Sequence, residues 1–545
     1  MAPRVLHLAC AVALTGPAFV LRRAAPSSVE VPATYAEQFA GVLPDDFSWE
    51  DFLEASQRPV RPCVRVNSLR GGCRQRVQRL GALHGWRLGA AVPWGVGGFW
   101  VQQVNVPSLE EEEELPAAWA KMARKKVQGR AKIPARPEAS RPAAIGWGSD
   151  PAFVSGQVYV QEASSLLPVA ALLDAFQEPP EGLRVLDMAA APGGKTTALC
   201  AWLAGKGAVV ANEPNVARCK ALVENLLRTG SAPHAAVTQM DGRQCGKLWP
   251  GHFDAVLLDA PCSGESLTRR GEAEALAPKP QYVEGLSKLQ RQLISSAFQA
   301  LKVGGVLVYS TCTLNVKENE EVCSYLLDAF PGAVEREALD LPGTEKMRTS
   351  DGFLRCWPQI CDTQGFFVAR FRKTADVSGS AEAEPDTKRL ERLSEREAAA
   401  VQRAFESAFG LKVDGDLQRS GGEVWLCPEA LSGLRFSGPR RCGIRLALTR
   451  RQGLAYPAHH EWVMSFGHEV PEDGFGVAEL SRDAAKDFCA GQDVEPLWTP
   501  AAAVAEEGAQ AVVKYDGLVL GLARWKGRQL RNDLPPQWRC PDLAI

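Results

Sequence analysis

The chain has 545 residues, more than one ordinary hydrophobic core organises, so two or three domains are expected. Its 62 lysines and arginines nearly balance 64 aspartates and glutamates, so the net charge neither indicates nor excludes a nucleic-acid partner. The 15 cysteines are scattered without a CxxC pair, which argues against a disulfide framework and against a zinc site.

The first 34 residues have the pattern of a targeting leader. Arg4 precedes an apolar run from Val5 to Val20, which Gly16 and Pro17 interrupt, and an acid-free segment follows. The run is short for a membrane span, so we expect none in the mature protein. The leader predicts an organellar protein, of a plastid or a mitochondrion. The alternative is a disordered extension on a protein of the cytoplasm or nucleolus.

Residues 35–155 are expected to form a mixed α+β region. The segments RPCVRVNSLR and VPWGVGGFWVQ are typical of short strands with turn glycines. Within this region, residues 107–145 carry an acidic run, then a basic run, then a proline-rich stretch. Opposed charge blocks with few large apolar residues cannot bury a core, so these residues are predicted to be a flexible insertion.

Residues 156–372 alternate between strand and helix patterns, as a doubly wound sheet requires. RVLDM, AVVAN, AVTQ, AVLLD and GVLVYST are strand-like, and GFFVARF follows them. Helical patterns lie between them, including a long one over about residues 283–301. We expect one α/β domain.

Residues 373–395 are predicted to be a linker, and residues 396–545 a small α+β domain. VQRAFESAFG predicts a helix, and EVWLC, IRLAL and AVVKYDGLVLGLARWKGRQL predict strands. The final stretch interleaves tryptophan with arginine and lysine, a combination that binds unpaired RNA by stacking and charge. A tryptophan that simply packs in the core is the competing interpretation.

The segment VLDMAAAPGGKTT predicts a strand, a turn of small residues and the start of a helix. Ligands of open α/β sheets bind beyond the carboxyl ends of the strands, where small residues allow close approach. The spacing fits neither a GxGxxG motif nor a Walker loop. Acidic residues follow successive strands: Glu213 is placed to accept ribose hydroxyls and Asp241 to contact an adenine edge. This arrangement favours S-adenosylmethionine over a nicotinamide.

Two cysteines follow strand-like runs fifty residues apart, Cys262 in AVLLDAPCSG and Cys312 in GVLVYSTCTLN. Carbon-5 of cytosine is a poor nucleophile, and a thiolate that adds to carbon-6 makes it enamine-like. Asp259 is placed to hydrogen-bond ring nitrogen-3 and the exocyclic amine. An isolated cysteine is more often a small buried hydrophobe, but the ligand edge of the sheet favours chemistry here.

Six motifs along residues 155–372 resemble the RNA 5-methylcytosine methyltransferases of the Sun-domain type. They are QEASSLLP, VLDMAAAPGGKTT, NEPNVARCKALVENLLRTG, LLDAPCSGE, STCTLNVKENEEV and DTQGFFVAR. The N-terminal strand segments resemble that family's RNA-binding part. KYDGLVLGLARWKGRQLRNDLP resembles the PUA-like domain of the bacterial small-subunit rRNA group.

The resemblance implies an α/β fold: a Rossmann-like, doubly wound S-adenosylmethionine-dependent methyltransferase domain between an N-terminal α+β RNA-binding region and a C-terminal PUA-like α+β domain. It implies that Cys312 is the nucleophile and that Cys262 assists product release. In DNA cytosine methyltransferases the proline-cysteine motif carries the nucleophile instead, which would select Cys262. The residues implied to hold S-adenosylmethionine or the target base are Ala189, Ala190, Ala191, Pro192, Gly193, Gly194, Lys195, Glu213, Asp241 and Asp259.

The expected activity is cytosine-5 methylation of RNA. An rRNA substrate is favoured, and a tRNA substrate is the alternative. A protein without catalytic activity, acting as a ribosome-assembly or RNA-binding factor, is the third hypothesis. Two positions depart from the family pattern, Ser266 after APCSGE and Gln359 before DTQGFFVAR, and both bear on the substrate rather than on the chemistry. We expect a monomer without a metal.

Overall fold

The computed structural model describes residues 39, 42–44, 46–71, 74–104, 147–265, 278–377, 390–434, 436, 439–449, 457–471, 476–497, 507–541 and 543. The expected leader 1–34 and insertion 107–145 lie outside these residues, as do residues 378–389 of the expected linker and Ser266.

A small α+β unit precedes the expected catalytic domain. Its helices are α1 (Trp49–Gln57), α2 (Arg74–Leu83) and α3 (Pro151–Val154), and its strands are β1 (Cys63–Val66), β2 (Trp86–Ala91), β3 (Gly98–Gln103) and β4 (Val158–Val160). Within the described residues these strands form an antiparallel sheet in the order β2-β3-β1-β4. Strands β1 and β3 lie in the two segments that the sequence predicts to be strands.

The central domain is a mixed sheet covered by helices. Its strands are β5 (Leu183–Asp187), β6 (Gly207–Asn212), β7 (Ala235–Thr238), β8 (Phe253–Asp259), β9 (Leu301–Thr311), β10 (Val334–Glu337), β11 (Leu354–Cys356) and β12 (Phe366–Lys373). Its helices are α4 (Leu167–Leu173), α5 (Gly194–Leu203), α6 (Val216–Arg228), α7 (Cys245–Leu248), α8 (Pro280–Ala300), α9 (Glu320–Ala329) and α10 (Pro358–Cys361). Strands β9, β8, β5, β6 and β7 run parallel in that order, and β12 continues the sheet beyond β9 antiparallel.

The central strands are apolar on both faces, which is why their sequences lack alternation. Val185 and Val209 pack into the core on one face of the sheet, and Leu186 and Val210 pack on the other with Phe298 of α8. Parallel strands buried on both sides are typical of sheets flanked by helices. Their carboxyl ends meet at one edge, so the residues after β5, β6, β8 and β9 are brought together.

The C-terminal part contributes three helices and two further sheets within the described residues. The helices are α11 (Glu395–Phe409), α12 (His460–Phe466) and α13 (Arg482–Cys489). The strands are β13 (Glu391–Arg392), β14 (Asp416–Ser420), β15 (Glu423–Cys427), β16 (Pro439–Cys442), β17 (Ile444–Leu448), β18 (Val477–Glu479), β19 (Gln510–Tyr515), β20 (Leu518–Lys526) and β21 (Gln529–Asn532). The sheets have the orders β13-β14-β15-β17 and β18-β19-β20-β21.

Strand β16 belongs to neither of those sheets. It pairs antiparallel with β7 and so extends the central sheet, with Cys442 opposite Ala236 and Arg441 opposite Val237. The C-terminal part therefore covers an edge that would otherwise expose unpaired backbone groups. The sequence contains no local signal for this pairing.

The expected fold class is confirmed, with an α/β domain between two α+β parts. The tryptophan in ARWKGRQL is a core residue: Trp525 is 4% exposed and packs with Val513 and Leu530. Among the described helices, none has the length and apolar composition needed to cross a bilayer.

Candidate active site

Residues 189–195, which the sequence predicts to hold the cofactor and which we call the cofactor loop, comprise the turn after β5 and the first two residues of α5, and they pack tightly against their surroundings. Gly193 has φ 108°, a conformation that favours glycine. A Cβ on Gly193 would lie 3.1 Å from Leu222 Cδ1, and one on Gly194 would lie 3.2 Å from Gln161 Nε2. The two glycines therefore allow the loop to fit between α6 and the segment after β4.

Helix α6 fixes the cofactor loop through its side chains. Arg218 Nη2 donates to the Ala191 carbonyl at 2.8 Å, and Asn225 Nδ2 donates to the Pro192 carbonyl at 2.9 Å. These bonds satisfy loop carbonyls that helix α5 cannot reach. The two bonds therefore hold the loop against α6.

Two buried acids beside this loop have carboxylate oxygens without a hydrogen-bond partner among the described residues. Asp187 Oδ2 accepts from Thr196 Oγ1 at 2.6 Å, while Oδ1 has no partner. Glu213 Oε1 accepts from the Asn215 amide at 2.8 Å, while Oε2 makes no hydrogen bond and lies 3.4 Å from Arg218 Nη1. Burial raises the pKa of Asp187 to about 6 and also raises the pKa of Glu213. Such acceptors fit a ligand that brings hydroxyl or ammonium donors, and S-adenosylmethionine carries both.

Asp241 lies at the same edge, but its carboxylate already has a partner. Arg243 Nε lies 3.0 Å from Oδ1 and 2.9 Å from Oδ2, and the Arg243 amide donates to Oδ1 at 3.0 Å. Hydrogen bonds from Arg243 lower the pKa of Asp241. Arg243 therefore takes up both oxygens of the carboxylate that the sequence predicted to contact an adenine edge.

Lys195 is the last residue of the cofactor loop, and its ammonium turns toward the thiols. Lys195 Nζ donates to Asp259 Oδ2 at 2.6 Å, and Ser310 Oγ donates to Asp259 Oδ1 at 2.8 Å. Burial alone would lower the pKa of Lys195, but Asp259, Asp187 and Cys312 raise it above its ordinary value. The sequence placed Lys195 with the cofactor and did not anticipate this ion pair, because the two residues are far apart in the chain.

The two thiols lie together beyond neighbouring parallel strands. Asp259 of β8 pairs with Ser310 of β9, so Cys262 and Cys312 follow at nearly the same level. Their sulfurs are 3.1 Å apart, and both residues are partly exposed. The hydrogen bond to Cys312, burial and nearby carboxylates raise the pKa of Cys262 well above its ordinary value. Either sulfur can be the hydrogen-bond donor of the pair.

Sequence reasoning missed two buried side chains that contact the Cys262 loop, Gln290 of α8 and Glu318 after β9. The polar run NVKEN, which begins one residue beyond the STCT motif, was a signal that could have found Glu318. In the described part of the chain, no cluster of three or more histidine, cysteine or acidic side chains is arranged to hold a metal.

Two family models match the chain. Residues 175–372 match the 16S rRNA methyltransferase RsmB/F family, and residues 475–540 match the PUA domain of methyltransferase RsmF. The two matches fall on the central domain and on the C-terminal part.

Curated relatives are similar over nearly the full length. The ribosomal RNA small subunit methyltransferase F of Escherichia coli O157:H7 is 39% identical, over 94% of this chain and 97% of its own. The protein of the same name from Aeromonas hydrophila is 36% identical, over 93% of this chain and 96% of its own.

Solved structures with a similar arrangement come from Pyrococcus horikoshii. A methyltransferase homologue is 28% identical at a TM-score of 0.47, with 62% of this chain and 94% of that chain covered. NSun6 solved with SFG is 25% identical at a TM-score of 0.44, with 60% of this chain and 94% of that chain covered.

The expectation of an organellar protein is wrong. The relatives that align with nearly the whole chain are bacterial rRNA methyltransferases, which point to a cytoplasmic enzyme. A short apolar run followed by arginines was too weak a pattern to support a location.

Proposed function

Since the chain belongs to the 16S rRNA methyltransferase RsmB/F family, we propose that it methylates carbon-5 of a cytosine in small-subunit rRNA through a covalent bond to Cys312. Membership confirms the expected resemblance, and the protein is an S-adenosylmethionine-dependent RNA methyltransferase. The observation that carries the covalent route is the pair of sulfurs 3.1 Å apart beside the Lys195–Asp259 ion pair.

The reaction begins with the addition of a thiolate to the cytosine ring. The Cys312 sulfur forms a bond to carbon-6, and the electron pair of the carbon-5–carbon-6 double bond moves toward carbon-4 and nitrogen-3. Lys195, held by Asp259, supplies positive charge where negative charge develops on the ring. The remaining lone pairs of Asp259 are available to the exocyclic amine.

Carbon-5 then has enamine character. S-adenosylmethionine supplies an electrophilic methyl group, and the cofactor loop with Asp187 and Glu213 would hold it. With the cofactor bound, carbon-5 would take its methyl group, and the demethylated cofactor would leave. The base must be unpaired or flipped out, because a ring carbon inside a stack is inaccessible.

Release reverses the addition. The carbon-5–hydrogen bond breaks, its electron pair restores the ring double bond, and the carbon-6–sulfur bond breaks so that Cys312 leaves as a thiolate, while the proton passes to water. A thiolate is a better leaving group when a donor stabilises it. The protonated Cys262, 3.1 Å away, is such a donor.

The contact between the sulfurs is symmetric, so the choice of Cys312 as the nucleophile comes from the family resemblance, and the thiol pair is compatible with it. A thiolate is the reactive form of cysteine, and a thiol that donates to its neighbour stabilises the neighbour's thiolate. Because the pKa of Cys262 is raised well above its ordinary value, Cys262 suits the donor role. This assignment agrees with the roles that the family resemblance implies.

RNA binding is assigned to the two parts that flank the central domain. The N-terminal unit and the PUA domain contact each other, since Leu518 of β20 packs with Val64 and Val77, and Arg79 pairs with Asp516. A joint surface of this kind can bind RNA beside the sheet edge that carries the two cysteines.

Cysteine variants test the covalent route directly. Purified wild type, Cys262→Ala and Cys312→Ala are incubated with labelled S-adenosylmethionine and small-subunit rRNA, and protein–RNA adducts are resolved on denaturing gels. We expect Cys262→Ala to accumulate an adduct that survives denaturation, because release is impaired. Cys312→Ala should form no adduct and no 5-methylcytosine.

Cys361→Ala is the matched control, since Cys361 is a partly exposed cysteine outside the two loops that carry Cys262 and Cys312. It should behave as wild type. An adduct in Cys312→Ala but not in Cys262→Ala would reverse the two roles. Methylation of tRNA in place of rRNA would select the alternative substrate, and failure of the wild type to bind S-adenosylmethionine would favour a non-catalytic RNA-binding factor.

A further inference from the structure

A buried carboxylate lies behind the Cys262 loop. Glu318 is 0% exposed, and its Oε2 accepts two hydrogen bonds, from the Ser263 amide at 3.0 Å and from Gln290 Nε2 at 2.9 Å. No lysine or arginine of the described residues forms an ion pair with it, and burial raises its pKa. A buried acid without a cation costs stability, so its retention calls for a function or a compensating set of bonds.

Gln290 completes a bridge around the cysteine. It is 0% exposed on α8, and its Nε2 also donates to the Pro261 carbonyl at 2.9 Å. The residues before and after Cys262 are thus tied to the same amide–carboxylate pair. We call Gln290 and Glu318 the clamp.

The clamp is anchored to the loop that carries the nucleophile. Glu318 follows Cys312 by six residues, and its own carbonyl accepts from the Tyr309 hydroxyl of β9 at 2.6 Å. Ser263 Oγ donates to Thr313 Oγ1 at 3.1 Å, which adds a second link between the two cysteine loops. The position of one sulfur relative to the other is therefore set through the clamp.

We propose that Glu318 and Gln290 are positioning residues that hold the Cys262 thiol against the Cys312 sulfur while the covalent adduct breaks down. This inference rests on the proposed function. Catalytic effects fall steeply with displacement, and a shift of about 1 Å can cost about 100-fold in rate. Addition and methyl transfer depend on Cys312, Lys195 and Asp259, none of which the clamp's side chains bond, so the effect falls on release.

The test follows one turnover in Glu318→Ala and Gln290→Met with labelled S-adenosylmethionine and small-subunit rRNA. Methyl transfer into the adduct and decay of the adduct are timed separately on denaturing gels. We expect methyl transfer within about threefold of wild type and adduct decay at least tenfold slower. Glu318→Gln, which keeps an acceptor at the same place, should restore decay to within about threefold of wild type.

Arg291→Ala is the matched control, because it removes the ion pair between α8 and Glu321 of α9, next to the clamp in sequence, and leaves the clamp's hydrogen bonds in place. It should show wild-type decay. Gln290→Met preserves side-chain volume and provides a folded variant if Glu318→Ala does not fold, as judged by circular dichroism and S-adenosylmethionine affinity.

Wild-type decay in folded clamp variants would overturn the inference and leave the proposed function intact. Equal losses in methyl transfer and decay would overturn it too, because they would indicate a general disturbance of the site. Absence of any adduct in Cys262→Ala would instead overturn the covalent route, and the inference with it.

Discussion

At the scale of the residue, the site holds ionisable groups that are costly to bury. Asp187 is 1% exposed, has one carboxylate oxygen without a hydrogen-bond partner among the described residues, and has a pKa raised to about 6 by burial. Lys195 lies beside it but bonds Asp259 instead. The free protein therefore carries an unfavourable charge at neutral pH that a bound ligand with hydrogen-bond donors offsets.

This arrangement predicts a pH-dependent effect of Asp187→Asn. The pKa of Asp187 is higher in the folded chain, about 6, than its ordinary 3.8, so the group favours folding below about pH 4 and that contribution is lost as the pH rises through 6. Asparagine does not titrate. Relative to wild type, the variant should gain up to about 3 kcal/mol in unfolding free energy between pH 4 and pH 7.

Denaturant unfolding of both proteins at the two pH values, without S-adenosylmethionine, measures this difference. The same substitution should weaken S-adenosylmethionine binding at pH 7, because a buried acceptor becomes partly a donor. A difference between variant and wild type that stays constant with pH would contradict the assignment.

At the scale of the element, strand β16 attaches the C-terminal part to the central sheet. Arg441, 7% exposed, bonds Glu461 of α12, and Glu461 also accepts from the Arg445 amide at 2.9 Å. Arg441 Nε donates to the Gly443 carbonyl at 2.9 Å. A buried ion pair thus holds the strand that closes the β7 edge.

We predict that Arg441→Met destabilises the chain by about 3 kcal/mol, because it leaves Glu461 buried without its closest cation. The double variant Arg441→Met, Glu461→Gln should recover much of that loss, since the amide carries no charge. Thermal and denaturant unfolding of wild type, Arg441→Met, Glu461→Gln and the double variant give the coupling free energy between the two side chains. Equal stability of Arg441→Met and wild type would mean that the pair does not hold β16.

At the scale of the whole molecule, the N-terminal unit and the PUA domain contact each other. Leu518, 1% exposed, belongs to the PUA domain and packs into the core of the N-terminal unit. Arg76 Nη1 reaches the Gly517 carbonyl at 3.4 Å, and Arg79 pairs with Asp516. The flanking parts therefore contact each other as well as the central domain.

Leu518→Ala should cost about 2–4 kcal/mol and weaken rRNA binding, while S-adenosylmethionine affinity stays unchanged because the cofactor loop has other supports. Gel-shift titration and calorimetry measure the two affinities. Leu497→Ala, at a 55% exposed leucine, is the control and should alter neither. Unchanged rRNA affinity in Leu518→Ala would mean that the contact between the two flanking parts does not contribute to rRNA binding.

The sequence by itself determined the elements whose signals are local. Apolar runs predicted the strands of the central sheet, the AAAPGGK segment predicted a turn between a strand and a helix, and the positions of Cys262 and Cys312 at strand ends predicted that both lie at one edge of the sheet. These predictions succeed because parallel strands bring their carboxyl ends to one edge whatever lies between them. The motifs along residues 155–372 were enough to identify the family.

Only the tertiary structure decided which side chains contact one another across that edge. Lys195 pairs with Asp259, and Arg243 pairs with Asp241. Glu318 and Gln290 bond each other behind the Cys262 loop. Strand β16 pairs with the edge of the central sheet. Most of these contacts join residues far apart in the chain. They depend on how helices and loops pack, which the periodicity of any one segment does not encode.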